Sequence, residues 1–260
     1  MHSGVTRLEH WFNHYVDGFA RRSEDVRSLI ELKRDHSLRV LENALQLTDS
    51  IRIAPHIRSA AVTAALLHDV GRFEQFESYR TFNDRASVDH GRLGFSVLLR
   101  EKVLAQEDLI LRRTILLTVL MHNRRRLPRK LASDLQQCLA VVRDVDKLDV
   151  FAVLLDHLET GGRSDPTVAL DLPVHPTRYS SRIMEQVSRG RMVNAADMVW
   201  QNDFKLLLAS WVYDLNFPWT ARILKKRGLL ERLFQILPDT AEMKELEQKI
   251  ETELNKRAVI

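Results

Sequence analysis

Residues 60–72 read AAVTAALLHDVGR, an apolar run that ends in a histidine and an aspartate. Small residues and the histidine share one face of a helix, at positions i, i+3, i+4 and i+7: Ala61, Ala64, Ala65 and His68. The imidazole of His68 therefore points toward the core, and the small alanines allow a neighbouring helix to come close. We expect this helix to end at Gly71, because glycine commonly follows the last turn of a helix.

The rest of the chain has the same helical character. Apolar residues recur at helical spacing along most of the 260 residues, and no alternating strand pattern stands out. Nine glycines and seven prolines are too few for the frequent turns of an all-β protein. A content of 45% apolar and 28% charged residues is that of a soluble globular protein and excludes disorder. We predict an all-α fold.

The predicted helices cover residues 4–21, 24–49, 57–69, 87–102, 108–122, 132–159, 178–189, 194–214, 218–226 and 229–236, and a charged last helix opens at Pro238. Two glycines and three prolines break this pattern between Gly161 and Pro176. We therefore expect an N-terminal helix in residues 1–22, a helical core in residues 23–160, and a C-terminal helical extension in residues 177–260. Both flanking parts are predicted to pack on the core.

Charge and hydropathy narrow the class of protein. Basic and acidic residues are interleaved and the net charge is only +4, which argues against nucleic acid as a partner. The sequence lacks an apolar run of membrane-spanning length and a signal-peptide core at its start, so we expect a cytoplasmic protein without membrane contact. The single cysteine, Cys138, cannot form an intrachain disulfide or a thiolate cage. Any metal must therefore be held by histidines and carboxylates.

Further ionisable residues lie on apolar helix faces in the way that His68 does: His36, His90, His122 and Asp146. A charged carboxylate on such a face is costly unless a metal or a hydrogen-bond donor compensates it. One such histidine alone is more often a satisfied core residue than a ligand. Five of these residues, each on its own predicted helix, favour a metal site.

The order His36, His68-Asp69, His90, His122, Asp146 resembles the H…HD…H…H…D pattern of the HD-domain superfamily of metal-dependent phosphohydrolases. The resemblance covers about residues 30–150, with added local agreement over residues 68–72 and 143–149. It implies a helical bundle that binds two divalent transition-metal ions, with Fe, Mn, Ni, Co and Zn all compatible with these ligands.

In that family, residues matching His36, His68, Asp69 and Asp146 hold the first ion. Residues matching His90 and His122 hold the second, and the carboxylate matching Asp69 bridges the two. The implied reaction is hydrolysis of a nucleotide or another small phosphate ester by a metal-bound hydroxide.

Positive side chains near these ligands are candidates for contact with the substrate phosphate. Arg72 stands where many relatives have a lysine that contacts phosphate, and we expect Arg72 and Asp69 to be catalytic. Other candidates directly follow a ligand or its neighbour: Arg124, Arg125, Arg126 and Lys147. A solvated basic loop is the alternative for the arginine run, and a surface ion pair is the alternative for Lys147.

Two subfamily signatures are missing. Guanosine tetraphosphate hydrolases of this superfamily carry HDxxED, whereas Arg72 and Phe73 stand at the last two positions here. Cyclic dinucleotide phosphodiesterases carry a GYP element after a later histidine, whereas His122 is followed by NRRRLP. The resemblance therefore implies a reaction type without a particular substrate.

Two other functions stay open beside phosphate-ester hydrolysis. Some HD proteins with the same six ligands are di-iron oxygenases, and a metal-stabilised regulatory or binding module is the other possibility.

Two segments also have two interpretations each. Residues 73–86 are long enough to be a lid over the site or a plain connection. The charged run Glu242–Lys256 is either a solvated helix or a homodimer contact.

Overall fold

The computed structural model describes residues 2–21, 27–159 and 172–259. Its first helices are α1 (His2–Ala20), α2 (Arg27–Asp49), α3 (Pro55–Leu67), α4 (Gly71–Tyr79), α5 (His90–Arg100), α6 (Leu109–Met121) and α7 (Ser133–Glu159). They are followed by α8 (Ser181–Ser188), α9 (Gln201–Ser210), α10 (Pro218–Lys226), α11 (Leu229–Gln235) and α12 (Ala241–Val259). No strand occurs in these ranges, so the all-α prediction is confirmed.

Two predictions fall on residues that the structure does not describe. The predicted start of the second helix at residue 24 and most of the predicted break at 161–176 lie outside the described ranges. The chain divides into two compact units, Met1–Asp149 and Val150–Ile260, and the boundary falls inside α7. The predicted subdivision into residues 1–22, 23–160 and 177–260 stays a prediction.

Helix α3 is the centre of the first unit. Pro55 stands at its first position, where a missing N–H costs nothing. Every residue from Ala60 to Leu67 is buried, so the helix has no solvent face over its last two turns. It packs against α1, α2 and α6, and α5 packs against both α4 and α6. The residues that follow α3 are thereby held in the middle of the bundle.

Aromatic side chains join α1 to α4. The rings of Phe12, Tyr15 and Phe19 lie 5.8–6.2 Å from the ring of Phe73, between ring centroids. Phe12 and Phe73 are fully buried. The Tyr15 hydroxyl donates to Glu74, and burial raises the pKa of this phenol far above its usual range. Helix α1 is therefore part of the first unit's core.

The prediction that Gly71 ends a helix is wrong. The preceding helix ends at Leu67, residues 68–70 form a turn, and Gly71 is the first residue of α4. A β-carbon on Gly71 would overlap the carbonyl oxygen of His90 and lie 2.5 Å from the amide nitrogen of Gly94. Glycine is needed here because the backbones of α4 and α5 touch.

Two other element boundaries differ from the predictions. Residues 73–79 belong to α4, so only residues 80–89 form the connection to α5. The predicted helix 194–214 is α9 with a 3₁₀ turn on each side, Ala195–Asp197 and Trp211–Asp214. The buried Asp203 accepts the backbone N–H of Trp200 at 3.0 Å, and this cap starts α9 at Gln201.

The second unit is built mainly from short helices, together with the longer α12. Helix α8 packs against α9 and α12, α10 packs against α11 and α12, and α9 packs against α11. Pro218 opens α10 in the way that Pro55 opens α3. In the described part of the chain, none of the helices combines the length and apolar character that crossing a bilayer requires.

Substitution of Gly71 tests the close crossing of α4 and α5. Gly71→Ala should destabilise the protein by about 1–3 kcal/mol, because the added methyl group overlaps backbone atoms that cannot move separately. The midpoint of urea unfolding, followed by circular dichroism, measures this loss. Gly18→Ala is the matched control, since nothing lies within 4 Å of the added carbon and alanine favours α1 by about 0.5–1 kcal/mol. Equal midpoints in the two variants would contradict the crossing.

Candidate metal centre

Four helices and the turn after α3 bring the six predicted ligands together. His36 lies within α2, His68 and Asp69 in the turn after α3, His90 at the start of α5, His122 directly after α6, and Asp146 within α7. The four histidines and Asp69 are each at most 5% exposed. Asp146 is the open member, with 25% of its side chain exposed. The cluster is therefore a nearly enclosed centre with one accessible carboxylate.

One half of the centre, here called the first subsite, consists of His36, His68, Asp146 and one oxygen of Asp69. The Nε2 atoms of His36 and His68 are 3.2 Å apart. Asp146 Oδ1 lies 3.3 Å from His36 Nε2 and 3.5 Å from His68 Nε2. Asp69 Oδ2 lies 3.6 and 3.9 Å from the same two nitrogens.

The other half, the second subsite, consists of His90, His122 and the other oxygen of Asp69. The Nε2 atoms of the two histidines are 3.1 Å apart. Asp69 Oδ1 lies 3.4 Å from His90 Nε2 and 3.9 Å from His122 Nε2. Asp69 thus directs one oxygen to each histidine pair, which is the arrangement of a bridging carboxylate.

The second nitrogen of each ring determines what Nε2 can do. The Nδ1 atoms lie 2.7–2.8 Å from oxygens that can only accept: Asp149 Oδ2 for His36, Ala65 O for His68, Asp84 Oδ2 for His90 and Val119 O for His122. In a neutral ring the hydrogen therefore sits on Nδ1, and Nε2 carries a lone pair.

The paired Nε2 atoms then form no hydrogen bond with each other, because both have lone pairs and no hydrogen between them. A cation between the two atoms removes this repulsion. Ligand atoms about 2.0–2.1 Å from a transition metal are themselves about 3.0–3.4 Å apart, which matches both histidine pairs. The residues present therefore fit one divalent ion in each subsite.

Electrostatics differ between the subsites. Burial lowers the pKa of His122 to about 3, and burial and the Arg72 guanidinium lower the pKa of His90. These two rings are therefore neutral and could act as metal ligands. Burial also acts to lower the pKa of His68, but Asp69 and Asp146 outweigh it and raise that pKa. The carboxylates of the first subsite thus favour a positive charge at His68 Nε2, which a metal ion would supply in place of a proton.

Both carboxylates stay ionised inside the protein. Burial opposes the charged form of Asp69, yet Lys33 and the surrounding positive groups hold its pKa well below the usual range. For Asp146, burial is likewise outweighed by the neighbouring His36 and His68, and its pKa also lies well below the usual range. One buried and one partly exposed carboxylate, both ionised and close to histidine nitrogens, favour the binding of cations here.

Residues that the sequence analysis did not single out support the ligands. Asp149, which holds His36, is itself held by the Arg39 guanidinium at 2.7 and 3.0 Å. Asp149 is three residues from Asp146 on the same predicted helix, and this spacing could have indicated from the sequence that it lies near the centre. Asp84, which holds His90, lies in an irregular loop and had no such signal.

The predicted phosphate contacts have different surroundings. Arg72 lies inside the protein, where its NH1 donates to Gln75 Oε1, Phe82 O and Asp84 Oδ1 at 2.6–2.8 Å. Its Nε lies 3.4 Å from Asp69 Oδ1. A contact between Arg72 and substrate stays a prediction.

The other basic candidates lie on the surface or near it. Arg124, Arg125 and Arg126 are exposed in the loop after His122. Arg143 fixes the start of that loop by donating to the carbonyl oxygens of His122 and Arg124. Lys147 is half-buried on α7 beside Asp146.

Comparison with known proteins adds one finding. Residues 34–158 match the family model of the HD domain, and this range includes all six residues of the centre. No curated protein and no solved structure matches the chain.

Metal content tests the division into two subsites. After reconstitution with Mn²⁺ and dialysis, the wild type should retain close to two ions per chain and Asp69→Ala should retain none, because both subsites lose an oxygen. His122→Ala should retain about one ion. Elemental analysis measures this, with His56→Ala, an exposed histidine paired with Asp134, as the control that keeps two. Two ions in His122→Ala would contradict the assignment.

The supporting carboxylates give a second test. In a His122→Ala background, which leaves the first subsite alone, Asp149→Asn should weaken Mn²⁺ binding about 10–100-fold by releasing the His36 ring. Asp84→Asn in the same background should leave the affinity unchanged, because Asp84 holds only His90 of the second subsite. Isothermal titration measures both. Equal effects of the two substitutions would show that the supports are not specific to a subsite.

Proposed function

This chain carries an HD domain in residues 34–158, and from that premise we propose that it is a metal-dependent phosphohydrolase acting on a nucleotide or another small phosphate ester. HD domains are in general metal-dependent hydrolases. The centre built from His and Asp residues in this domain could hold the metal that such a reaction needs.

The observation that carries the proposal is the position of Asp69 between the two histidine pairs. Its oxygens lie 3.6 Å from His36 Nε2 on one side and 3.4 Å from His90 Nε2 on the other. A carboxylate shared in this way would keep two ions at a short, fixed separation. When bound, two such ions lower the pKa of a coordinated water and stabilise both the entering and the leaving oxygen of a phosphoryl transfer.

The protein side chains have three tasks in this reaction. The buried histidines hold neutral donor nitrogens in place and exclude bulk water from the inner face of the centre. Asp146, the open ligand, marks the side from which substrate reaches the site. The exposed Arg124, Arg125 and Arg126, together with Lys147, supply positive charge for a small anionic substrate.

Hydrolysis of a panel of phosphate esters by the Mn²⁺-reconstituted protein tests the function. On the best ester, Asp69→Ala should lower kcat/KM by more than about 10²-fold, since loss of an indirect support already costs 10–100-fold. Asp49→Ala, which removes an exposed aspartate paired with Arg58, should leave kcat/KM within about twofold of the wild type.

Two results would contradict the function. The first is release of phosphate from no ester on the panel, despite two bound ions. The second is oxygen consumption by the iron-loaded protein with turnover of a non-phosphorylated compound, which would assign the centre to the oxygenase class instead. Equal activity in Asp69→Ala and Asp49→Ala would place any hydrolysis outside this centre.

A further inference from the structure

A lysine with no assigned role lies against the bridging carboxylate. Lys33 is on α2, one turn before His36, and its Nζ donates to Asp69 Oδ2 at 2.9 Å. The same oxygen faces the first subsite. Lys33 and His36 are three residues apart, so both side chains lie on one face of α2. The ammonium group therefore lies beside the place where a metal ion would bind.

The loop between α4 and α5 holds this lysine in position. The Lys33 ammonium lies 5.4 Å from the centre of the Phe82 ring, within the range of a cation–π contact. The carbonyl oxygen of Phe82 accepts from Arg72 at 2.6 Å, and its ring packs on Phe76 with centroids 4.8 Å apart. The Lys33 ammonium is thus held between the Asp69 carboxylate and the Phe82 ring.

Lys33 still has donors to offer. An ammonium group carries three N–H donors, and among the described residues Asp69 is its one hydrogen-bond partner. The side chain is 17% exposed, whereas Asp69 is 4% exposed, so the ammonium is on the open side of the bridging carboxylate. A carboxylate oxygen has two lone pairs, so Asp69 Oδ2 can face an ion and the ammonium together.

Arg72 is anchored through three contacts of NH1, whereas Lys33 is anchored through a single hydrogen bond. Arg72 NH1 already donates to three oxygens, and its pairing with Asp84 holds the support of His90 in place. Release of this guanidinium toward a substrate would break that network. Lys33 would give up no hydrogen bond, because its two remaining N–H groups have no hydrogen-bond acceptor among the described residues.

We propose that Lys33 binds a phosphate oxygen of the substrate at this centre. The inference rests on the proposed function and names its recognition element: a tetrahedral phosphate group held between the metal subsites and the Lys33 ammonium. A compact, fixed point charge suits a single phosphate oxygen, whereas a guanidinium suits bidentate contact. Lys33 would be a substrate-contacting residue beside the bridging carboxylate.

Direct binding of inorganic phosphate tests this role without hydrolysis. With Mn²⁺-reconstituted protein in a titration calorimeter, Lys33→Gln should raise the Kd for phosphate about 10–150-fold, because a charge-assisted hydrogen bond of about 1.5–3 kcal/mol is lost. Lys33→Met, which keeps an unbranched side chain of similar length without the charge, should behave alike, and Lys33→Arg should recover part of the loss. Lys226→Gln, an exposed lysine of the second unit, controls for the change in net charge. The metal content and the thermal midpoint of every variant should equal those of the wild type.

The outcomes separate the two proposals. Unchanged phosphate affinity in Lys33→Gln, or no phosphate binding by the two-metal wild type, overturns the role of Lys33. Loss of metal in Lys33→Gln also overturns it, because the lysine would then serve only to hold Asp69. Phosphate binding that depends on Lys33 without hydrolysis of any ester would contradict the proposed function alone. Hydrolysis with phosphate binding independent of Lys33 would contradict only the present inference.

Discussion

The constraint on which the centre depends is the fixed hydrogen on Nδ1 of each histidine. His68 and His122 directly follow helices α3 and α6, and each donates to a carbonyl oxygen three residues earlier. The last carbonyls of a helix have no partner within the helix, so these acceptors are available without cost to the fold. The ends of two helices thereby aim two unprotonated nitrogens into the same space, and the bundle must be arranged around them.

The two subsites repeat one design. In each, one ring is held by a helix-end carbonyl and the other by a carboxylate: Asp149 for His36 and Asp84 for His90. Each of these carboxylates is in turn paired with an arginine, Arg39 in the first case and Arg72 in the second. A charged acceptor makes its imidazole a stronger ligand, and the arginine lowers the cost of burying that acceptor. By this parallel, Arg72 has a structural role in holding Asp84, and that role does not require a bound substrate.

Sequence alone could predict the helices and the side chains that the fold brings together at the centre, because both depend on periodicity. An ionisable residue on an apolar face is visible in the sequence, and His36, His68 and Asp146 are such residues. Gly71 was misread because a glycine that ends a helix and one that lets two backbones touch look the same in sequence. Asp84 could not be found, since its position depends on the path of an irregular loop. Lys33 is three residues from a ligand on the same helix and was readable in principle.

Exposure and charge together suggest an order of events for the proposed reaction. Without bound cations, the ionised Asp69 and Asp146 would repel a phosphate group from the interior, although the Lys33 ammonium lies beside them. Two divalent ions would make the net charge of the centre positive, and the Lys33 ammonium would add to the attraction of a phosphate group. A small anion would therefore bind only after the metals, and it would enter past Asp146 and Lys33, the more exposed side chains of the centre. The same carboxylates that gather the metal would thus exclude the substrate from the metal-free protein.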